Sequence, residues 1–469
     1  MTLLRRIPYP CPRAFAVLVL ALVAIAPASR GQGSPRVMQG PMLGAVFPEH
    51  VLVWVRVSGE YPVALQHGPA PDRLVTTTPP RTARKDDDYC VVVPLEGLAP
   101  GATVHYRVLV NGRVPSYLED QPPFVARAAP AAESRGRFRV AFGSCARWAR
   151  DPHQPIWRAI AERQPDLFLW LGDNIYGDAL DPMILAEEYR RQRDVPAYRA
   201  HMTGIPQLAT WDDHDFGSND SDRTFPGAAG ARRAFRHYWP NPAAGLADTP
   251  GIFFSYRYGG VDFFFLDDRT HRDPNRDPDG PAKTMLGAGQ LAWLKAGLAA
   301  SRAPFKVLIS GSIWPGGANP KPDSWGSFLH ERNALFDWIR DHGIGGVILL
   351  SGDTHSAELN VIPWSDRGGY DFYDFTSSPL AQEPNNNWIP RAVERRVRLP
   401  YDSAPNFGLL EFDLTAEPAL TYRLFNTDGR SVWRPFNLRA DELVNGRRSW
   451  PDKTAPDATR WEATRGTPP

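Results

Sequence analysis

The sequence predicts two folded parts, a small all-β domain followed by a larger domain of the α/β class. In the first part, apolar residues alternate along short runs, and every second residue of "VLVWVRV" (51–57) is a valine. In the second part, short apolar runs such as "DLFLWL" (166–171) alternate with helix-like segments such as "QPIWRAIAERQ" (154–164). Such alternation of strands and helices predicts a mainly parallel sheet covered by helices.

Residues 29–127 are predicted to form a small sandwich of the immunoglobulin or fibronectin kind. The alternation in 51–57 places four valines on one face of a strand and Leu52, Trp54 and Arg56 on the other. Residues 89–112 contain two further strand-like runs, separated by a Pro-Gly turn and closed by Asn-Gly. The Ala- and Pro-rich residues 128–137 are interpreted as a linker.

Residues 138–445 are predicted to form the larger domain, and residues 446–469 a polar tail. Each predicted strand is a short apolar run: 138–142, 166–171, 207–211, 261–266, 305–310 and 346–351. The predicted helices have apolar residues at helical spacing: 154–164, 292–301 and 334–343.

The first 28 residues are typical of a signal peptide. A pair of arginines precedes an apolar run at 14–26, which is short for a membrane span, and "APA" (26–28) fits a cleavage site. We therefore expect an exported protein, periplasmic or extracellular, without a membrane span in the mature chain. The alternative is an uncleaved anchor, and the arginine pair alone does not decide the export route.

Composition restricts the class of partner. The 469 residues include 53 Lys+Arg and 52 Asp+Glu, a net charge of +1. This balance creates no overall electrostatic attraction for nucleic acid or anionic membranes. We expect no nucleic-acid binding by bulk charge, and a monomer. Of three cysteines, Cys11 leaves with the signal, and Cys90 and Cys145 fall in different predicted domains, so no disulfide framework is expected.

Polar side chains that can bind metal follow directly on four predicted strands. These segments are "GSC" (143–145), "GDNIY" (172–176), "DDHD" (212–215) and "GDTH" (352–355). Loops at the carboxyl ends of strands in an open α/β sheet converge on one crevice. The four loops would therefore bring together a thiol, a phenol, carboxylates and imidazoles, which are all metal ligands.

The types of ligand indicate more than one metal ion. Thiolate and phenolate, from Cys145 and Tyr176, bind Fe³⁺ well. Carboxylate and amide oxygens suit Ca²⁺, Mg²⁺ or Mn²⁺, and a carboxylate such as Asp173 can bridge two ions. Such sites support displacement at phosphorus. The alternatives are a buried small apolar residue for Cys145, a turn acid and a half-buried phenol for Asp173 and Tyr176, and an ordinary loop residue for Asn219.

The four motifs in this order resemble those of the PhoD-type alkaline phosphatases, within the calcineurin-like metallophosphoesterase superfamily. The resemblance covers most of the mature chain, and "GPMLGAVFPEHVLVWVRV" (40–57) is similar to the N-terminal module of that family. It implies an α+β sandwich core, two sheets flanked by helices, and hydrolysis of phosphate esters with Fe³⁺ and Ca²⁺ or another divalent ion.

The resemblance also implies residue roles. His214 corresponds to the group that protonates the leaving group, and Asp215 to the acid that orients it. Asp173 corresponds to the bridging ligand, Tyr176 to an iron ligand, and Asp353 to the first histidine of a "GHxH" loop. The resemblance and the metal preferences of the side chains together predict seven metal ligands: Cys145, Asp173, Tyr176, Asp213, Asn219, Asp353 and His355.

The chain departs from the family pattern after the motif tyrosine, where a basic residue that holds phosphate is replaced by Gly177, Asp178 and Ala179. Arg147 is the predicted substitute. Arg269, which also follows a strand, is expected to form a structural ion pair. Two other functions remain open: a phosphodiesterase or phospholipase D-like hydrolase on the same scaffold, and a polymer-binding protein with a structural metal site.

Overall fold

The computed structural model describes residues 34–388 and 393–454. The predicted signal peptide and residues 455–469 of the predicted tail lie outside this range. Within it, the helices are all too short or too polar to cross a bilayer.

The front domain is all-β, which confirms the predicted class. Its strands are β1 (Val37–Val46), β2 (His50–Val57), β3 (Pro62–Gly68), β4 (Thr76–Thr77), β5 (Arg81–Thr82), β6 (Cys90–Glu96), β7 (Thr103–Val110) and β8 (Phe124–Arg127). One sheet has the order β1-β2-β6 and the other β4-β3-β7-β8, with β5 also paired to β3. Helix α1 (Ser116–Glu119) connects β7 to β8, and a 3-10 turn spans Lys85–Asp87. The alternate valines of β2 are fully buried in the apolar core.

The opposite face of β2 packs against the larger domain. Trp54 is fully buried, and its Nε1 donates a hydrogen bond to the main-chain oxygen of His237 at 2.7 Å. Asp88 accepts hydrogen bonds from Arg56 within the front domain and from Arg190 of the larger domain, the latter at 2.6 Å. The two parts therefore share a buried, charged interface.

The strands of the larger domain, in chain order, are β9 (Arg137–Gly143), β10 (Leu167–Leu171), β11 (Gln207–Thr210), β12 (Phe254–Tyr258), β13 (Val261–Phe265), β14 (Lys306–Ile309), β15 (Val347–Ser351), β16 (Glu358–Ile362), β17 (Phe372–Thr376), β18 (Arg395–Arg396), β19 (Asn406–Asp413), β20 (Ala419–Asn426) and β21 (Phe436–Arg439). Its α-helices are α2 (Ile156–Glu162), α3 (Pro182–Asp194), α4 (Pro196–Gly204), α5 (Asp213–Phe216), α6 (Ala228–Tyr238), α7 (Gly287–Ala300), α8 (Leu329–Asp341) and α9 (Trp450–Lys453). Short 3-10 helices span Trp325–Ser327, Trp364–Arg367 and Ala440–Glu442.

These strands form two mixed sheets. The first has the order β11-β10-β9-β19-β20-β21, in which β9 to β11 are parallel and the later strands antiparallel. The second has the order β12-β13-β14-β15-β17-β16-β18, with parallel pairing from β13 through β14 and β15 to β17. The predicted parallel pairing therefore holds in one half of the first sheet and at the centre of the second, whereas the remaining strands pair antiparallel.

The two sheets pack face to face, with helices on the outside. Phe412 of the first sheet contacts Phe263 and Phe305 of the second, with ring centroids 6.3 and 5.6 Å apart. On the outer surface of the second sheet, Phe336 of α8 stacks on Phe372 at 4.1 Å. This arrangement is the predicted sandwich of two sheets flanked by helices.

The carboxyl ends of the central strands of both sheets meet at one edge of the sandwich. Cys145 N, after β9, donates to Gly172 O, after β10, at 3.3 Å. Asp353 N, after β15 of the other sheet, donates to Ser144 Oγ at 3.2 Å. The polar loops of the two sheets are thus hydrogen-bonded to each other, and they form the site described below.

Candidate metal centre

Three overlapping clusters of potential metal ligands lie at this edge. The cysteine cluster is Cys145, Asp173 and His355; the histidine cluster is Asp173, Asp213 and His214; the aspartate cluster is Asp213, Asp220 and Asp323. Within each cluster, one ligand atom from each residue lies within 4.8 Å of the others. Asp173 belongs to the first two clusters and Asp213 to the last two, so the three form a continuous row.

Several of these residues have an unusual backbone conformation. The φ angles of Cys145, Asp173, Asp353 and His355 are 61°, 49°, 73° and 52°, which is the left-handed region that side chains other than glycine rarely adopt. Each such residue costs on the order of 1–3 kcal/mol, and the strain is concentrated at functional sites. The sharp turns place these side chains in the crevice directly after the strands end.

Asp173 is suited to bind a cation. Its side chain is almost fully buried, and its Oδ2 accepts a hydrogen bond from the Cys145 thiol at 3.3 Å. Its Oδ1 has no hydrogen-bond partner among the described residues. Burial raises the pKa of Asp173 well above its usual value, and the neighbouring Cys145 adds to this rise. A buried acceptor that lacks a donor is expensive unless a cation or a water molecule satisfies it.

Cys145 is fully buried and accepts a hydrogen bond from Ser378 Oγ at 3.2 Å. Burial raises the pKa of the Cys145 thiol to about 11, although hydrogen bonds with Ser144 and Ser378 act in the opposite direction. Without a cation the residue is therefore a neutral thiol, and a bound metal ion would deprotonate it. The buried position fits both a metal ligand and the small apolar residue considered from the sequence.

Tyr176 and His355 complete the surroundings of the cysteine cluster. The Tyr176 hydroxyl is hydrogen-bonded to His355 Nε2 at 2.9 Å. Burial raises the pKa of Tyr176, and it lowers the pKa of His355 to about 4, with the charge of His214 contributing. His355 is therefore a neutral imidazole, the form that binds metal. A thiol, a phenol, an imidazole and a carboxylate fit Fe³⁺ by their chemistry.

His214 lies beside Tyr176, with ring centroids 4.3 Å apart, and its Nδ1 is hydrogen-bonded to Asp178 Oδ1 at 2.6 Å. Burial lowers the pKa of His214, but the carboxylates of Asp173, Asp178 and Asp213 outweigh it and raise that pKa to about 10. The neighbouring carboxylates thus favour the protonated, cationic form of His214.

The partner of His214 differs from the expected one. Asp215 was expected to orient His214, but its carboxylate accepts hydrogen bonds from the main-chain N–H groups of Asn174 and Asp212 and from the Tyr189 hydroxyl, at 3.1–3.2 Å. Asp215 caps the short helix α5 and holds the loop after β11 against the loop after β10. The residue beside His214 Nδ1 is Asp178, because Gly177 N donates to the main-chain oxygen of His214 at 3.1 Å and holds the chain after Tyr176 next to it.

Asp353 is in contact with a lysine that the sequence analysis did not identify. Its carboxylate forms an ion pair with Lys321 Nζ, and the Lys321 side chain is 7% exposed. Burial raises the pKa of Asp353 to about 6, although Lys321 opposes the rise. Lys321 lies in the loop after β14, where the sequence contains no metal-ligand motif.

The aspartate cluster also contains residues missed from the sequence. Asp220 is exposed at the end of the acidic loop, and the buried Asp323 follows two residues after Lys321. Arg269 forms the expected structural ion pairs, with Asp212 and with Asp323, the latter at 2.7 Å. Since its guanidinium is fully buried among these partners, Arg269 supports the loops and is not a wall of the site.

A cavity of about 310 Å³ opens beside the three clusters. It is lined by Asp173, His214, Asn219, Asp220, Lys321, Pro322, Asp323, Asp353, His355, Asn385 and Trp388. Asn219 is exposed at its rim, and its Nδ2 donates to Asp220 Oδ1 at 2.8 Å. Arg147 lines a neighbouring cavity of about 370 Å³ instead, and its guanidinium lies 5.2 Å from the Tyr176 ring centroid. The structure thus brings seven of the predicted site residues together in the first cavity or its clusters, with Tyr176 hydrogen-bonded to one of them, His355. Asp215 and Arg147 lie outside this set.

Comparisons with known proteins identify the family of the chain. The family model described as PhoD-like phosphatase matches residues 140–418, which contain the four strand-end loops. The chain belongs to the PhoD-like phosphatase family. A second model, described only as a domain of unknown function, matches the front domain at residues 34–127.

The chain is 24% identical over 342 residues to alkaline phosphatase D of Bacillus subtilis (strain 168), an alignment that covers 62% of this chain and 56% of that protein. The chain thus spans little more than half the length of this curated relative. The solved structure of PhoD is similar, with a TM-score of 0.70, 18% identity and coverage of 87% and 94% of the two chains. Purple acid phosphatase PPD1 from yellow lupin aligns with a TM-score of 0.60 at 12% identity, over 85% of this chain and 74% of that one. These structures support the fold.

Proposed function

We propose that this protein is an exported, metal-dependent phosphoesterase that resembles alkaline phosphatase D. The observation that supports this most directly is the row of three ligand clusters that share Asp173 and Asp213 and border an open cavity. Overlapping clusters suit neighbouring cations, and such sites are used for displacement at phosphorus. Membership of the PhoD-like phosphatase family points to the same chemistry.

The side chains divide into two kinds of metal site. Cys145, Asp173, Tyr176 and His355 would hold Fe³⁺, and Asp173, Asp213 and Asn219 would hold Ca²⁺ or another divalent ion such as Mg²⁺ or Mn²⁺. Asp220, Asp323 and Asp353 add further carboxylates. When bound, these ions activate water and stabilise the negative charge that develops on the phosphate oxygens.

His214 is proposed to protonate the leaving-group oxygen. Its Nε2 is the nitrogen free for this step, because Nδ1 is hydrogen-bonded to Asp178. We propose that Asp178 holds the ring in place and keeps the proton on the imidazole, a role expected for Asp215 from the sequence. General acid catalysis of this kind contributes about 10²–10⁴-fold to the rate.

A phosphodiesterase or phospholipase D-like hydrolase would use the same ligands, so the choice of ester is part of the test. The mature protein is assayed with p-nitrophenyl phosphate and with bis(p-nitrophenyl) phosphate, before and after chelation and metal addition. Preferential hydrolysis of the monoester, lost on chelation and restored by metal, is expected. Preference for the diester would support the alternative hydrolase.

A polymer-binding protein with a structural metal site is the third possibility. Structural metal sites are closed by protein ligands, whereas these clusters border a cavity that a small ligand can enter. Metal-loaded protein that hydrolyses neither ester would favour the binding protein. The export signal is tested by the N-terminus of protein recovered from the periplasm or medium, and the expected monomer by light scattering.

A further inference from the structure

We propose that Lys321 binds the phosphate group of the substrate. This inference deepens the proposed function, since it names the side chain that contacts the anionic part of the ester. Lys321 lies in the loop between β14 and the 3-10 helix Trp325–Ser327, opposite the loops that carry the predicted ligands.

The position of Lys321 is unusual for a lysine. Its side chain is 7% exposed, and among the described residues that line the 310 Å³ cavity it is the only lysine or arginine. The Trp388 ring, also a wall of this cavity, lies 5.6 Å from Nζ. A buried positive charge at the wall of a cavity that borders the metal-ligand clusters is placed to receive an anion.

The contacts of Lys321 hold the ammonium in place and leave capacity for a ligand. Asp353 Oδ2 and the main-chain oxygen of Asp323, the latter at 3.3 Å, accept hydrogen bonds from Nζ. The Asp323 carboxylate forms a longer ion pair with Nζ at 3.8 Å, beyond hydrogen-bond distance. An ammonium group has three N–H donors, so one remains beyond these two acceptors. A phosphate oxygen in the cavity would accept it, and a charge-assisted hydrogen bond is stronger there than in water.

Arg147, the phosphate-binding residue expected from the sequence, is less well placed. Its guanidinium lies against the Tyr176 ring and lines the neighbouring cavity together with Arg150. That cavity shares only His355 and Asn385 with the cavity beside the clusters. Lys321 therefore lines the cavity that borders all three clusters, whereas Arg147 lines the neighbouring one.

The test measures binding of inorganic phosphate to metal-loaded protein by calorimetry, together with metal content. Lys321→Met should retain the wild-type metal content and bind phosphate about 10- to 100-fold more weakly, as expected for loss of a hydrogen bond between charged groups. Lys321→Arg, which keeps the charge, should recover part of the affinity. Lys321→Gln is a second neutral variant, and affinity is taken from whichever neutral variant keeps the wild-type unfolding midpoint.

Lys283→Met is the matched control. Lys283 is also buried, but its Nζ donates to the main-chain oxygens of Asn275, Asp277 and Ser327, away from the cavity. Its loss should leave phosphate affinity unchanged.

Unchanged phosphate affinity in a folded, metal-loaded neutral variant of Lys321 would overturn the proposal. Loss of metal in the neutral and arginine variants alike would also overturn it, since Lys321 would then serve only to hold Asp353. Lys321-dependent phosphate binding in a protein that hydrolyses no ester would support Lys321 as an anion-binding residue and refute the proposed function alone.

Discussion

Replacement of Asp178 with asparagine tests how His214 is held for proton transfer. The two side chains are joined by a hydrogen bond of 2.6 Å, and Asp178 is 39% exposed. Hydrogen bonds to charged groups contribute about 1.5–3 kcal/mol, and the exposure of Asp178 places this one at the low end of that range. About 1.4 kcal/mol corresponds to one pKa unit or a tenfold change in rate.

The direction of the change in the pH profile follows from the pKa shift of His214. Asp178 is one of the carboxylates that raise the pKa of His214, so its neutralisation lowers that pKa and removes the proton donor at a lower pH. Metal ions bound to Asp173 and Asp213 would offset the negative charges of these two carboxylates, which also raise the pKa of His214. The share contributed by Asp178 would then be larger. The variant should lose about tenfold in kcat for an alkyl phosphate, and the alkaline limb of its pH profile should move down by about one unit.

The assay compares kcat on an alkyl phosphate and on p-nitrophenyl phosphate across pH. p-Nitrophenolate leaves without much protonation, so this substrate should be slowed by less than about threefold. Asp181→Asn is the control, because Asp181 caps α3 through Met183 N on the same segment. Equal slowing of both substrates, or an alkaline limb that does not move, would show that Asp178 does not act through His214.

Four further variants test separate parts of the site. Asp213→Ala should lose the divalent metal and all activity. His214→Ala should keep its metal, and its kcat on alkyl phosphates should fall by about 10²–10⁴-fold. Elemental analysis and kcat measure both effects, and metal loss in both variants would reassign His214 as a ligand. Tyr176→Phe should lose the visible charge-transfer band of an Fe³⁺ phenolate, and an unchanged absorption spectrum would remove Tyr176 from the iron site. Arg269→Met removes the ion-pair partner of the buried Asp212 carboxylate, whereas Asp323 keeps Arg272, and it should cost about 3–5 kcal/mol in urea unfolding. Arg158→Met, at a surface pair, should cost less than about 1 kcal/mol; equal costs would contradict the support role of Arg269.

The convergence of the ligands could be predicted because it depends on local signals. Each apolar strand ends at a polar motif, and the topology of an α/β sheet brings the carboxyl ends of parallel strands to one edge. Cys145, Asp173, Asp213 and His355 were found in this way. The left-handed backbone at three of these four positions could not be read from the residue types, since none is glycine.

The residues that were missed depend on contacts between distant segments. Lys321 and Asp323 lie in a Pro-rich loop without a motif. The pairing of β14 with β15 in the second sheet brings Lys321 to Asp353, and the packing of the two sheets brings Asp323 to Asp213. The pairing of His214 with Asp178 depends on the course of the chain after Tyr176, which sequence spacing does not specify.

The sequence also could not predict the antiparallel strands of the two sheets or the interface between the domains. Strands β19 and β20 add to the first sheet after a long excursion through the second, and the order of strands from different parts of the chain has no local signal. The alternation in β2 correctly identified its buried valine face. It could not show that Trp54, on the other face, is buried against the larger domain.

The central claim is that metal held by these clusters carries out phosphoester hydrolysis. The most direct measurement is elemental analysis of the purified mature protein, with activity on p-nitrophenyl phosphate determined on the same sample before and after stepwise removal of metal. We predict iron together with a divalent ion, and activity that falls in proportion to the loss of the divalent ion and returns when it is restored. Full activity in protein free of both metals would contradict the account.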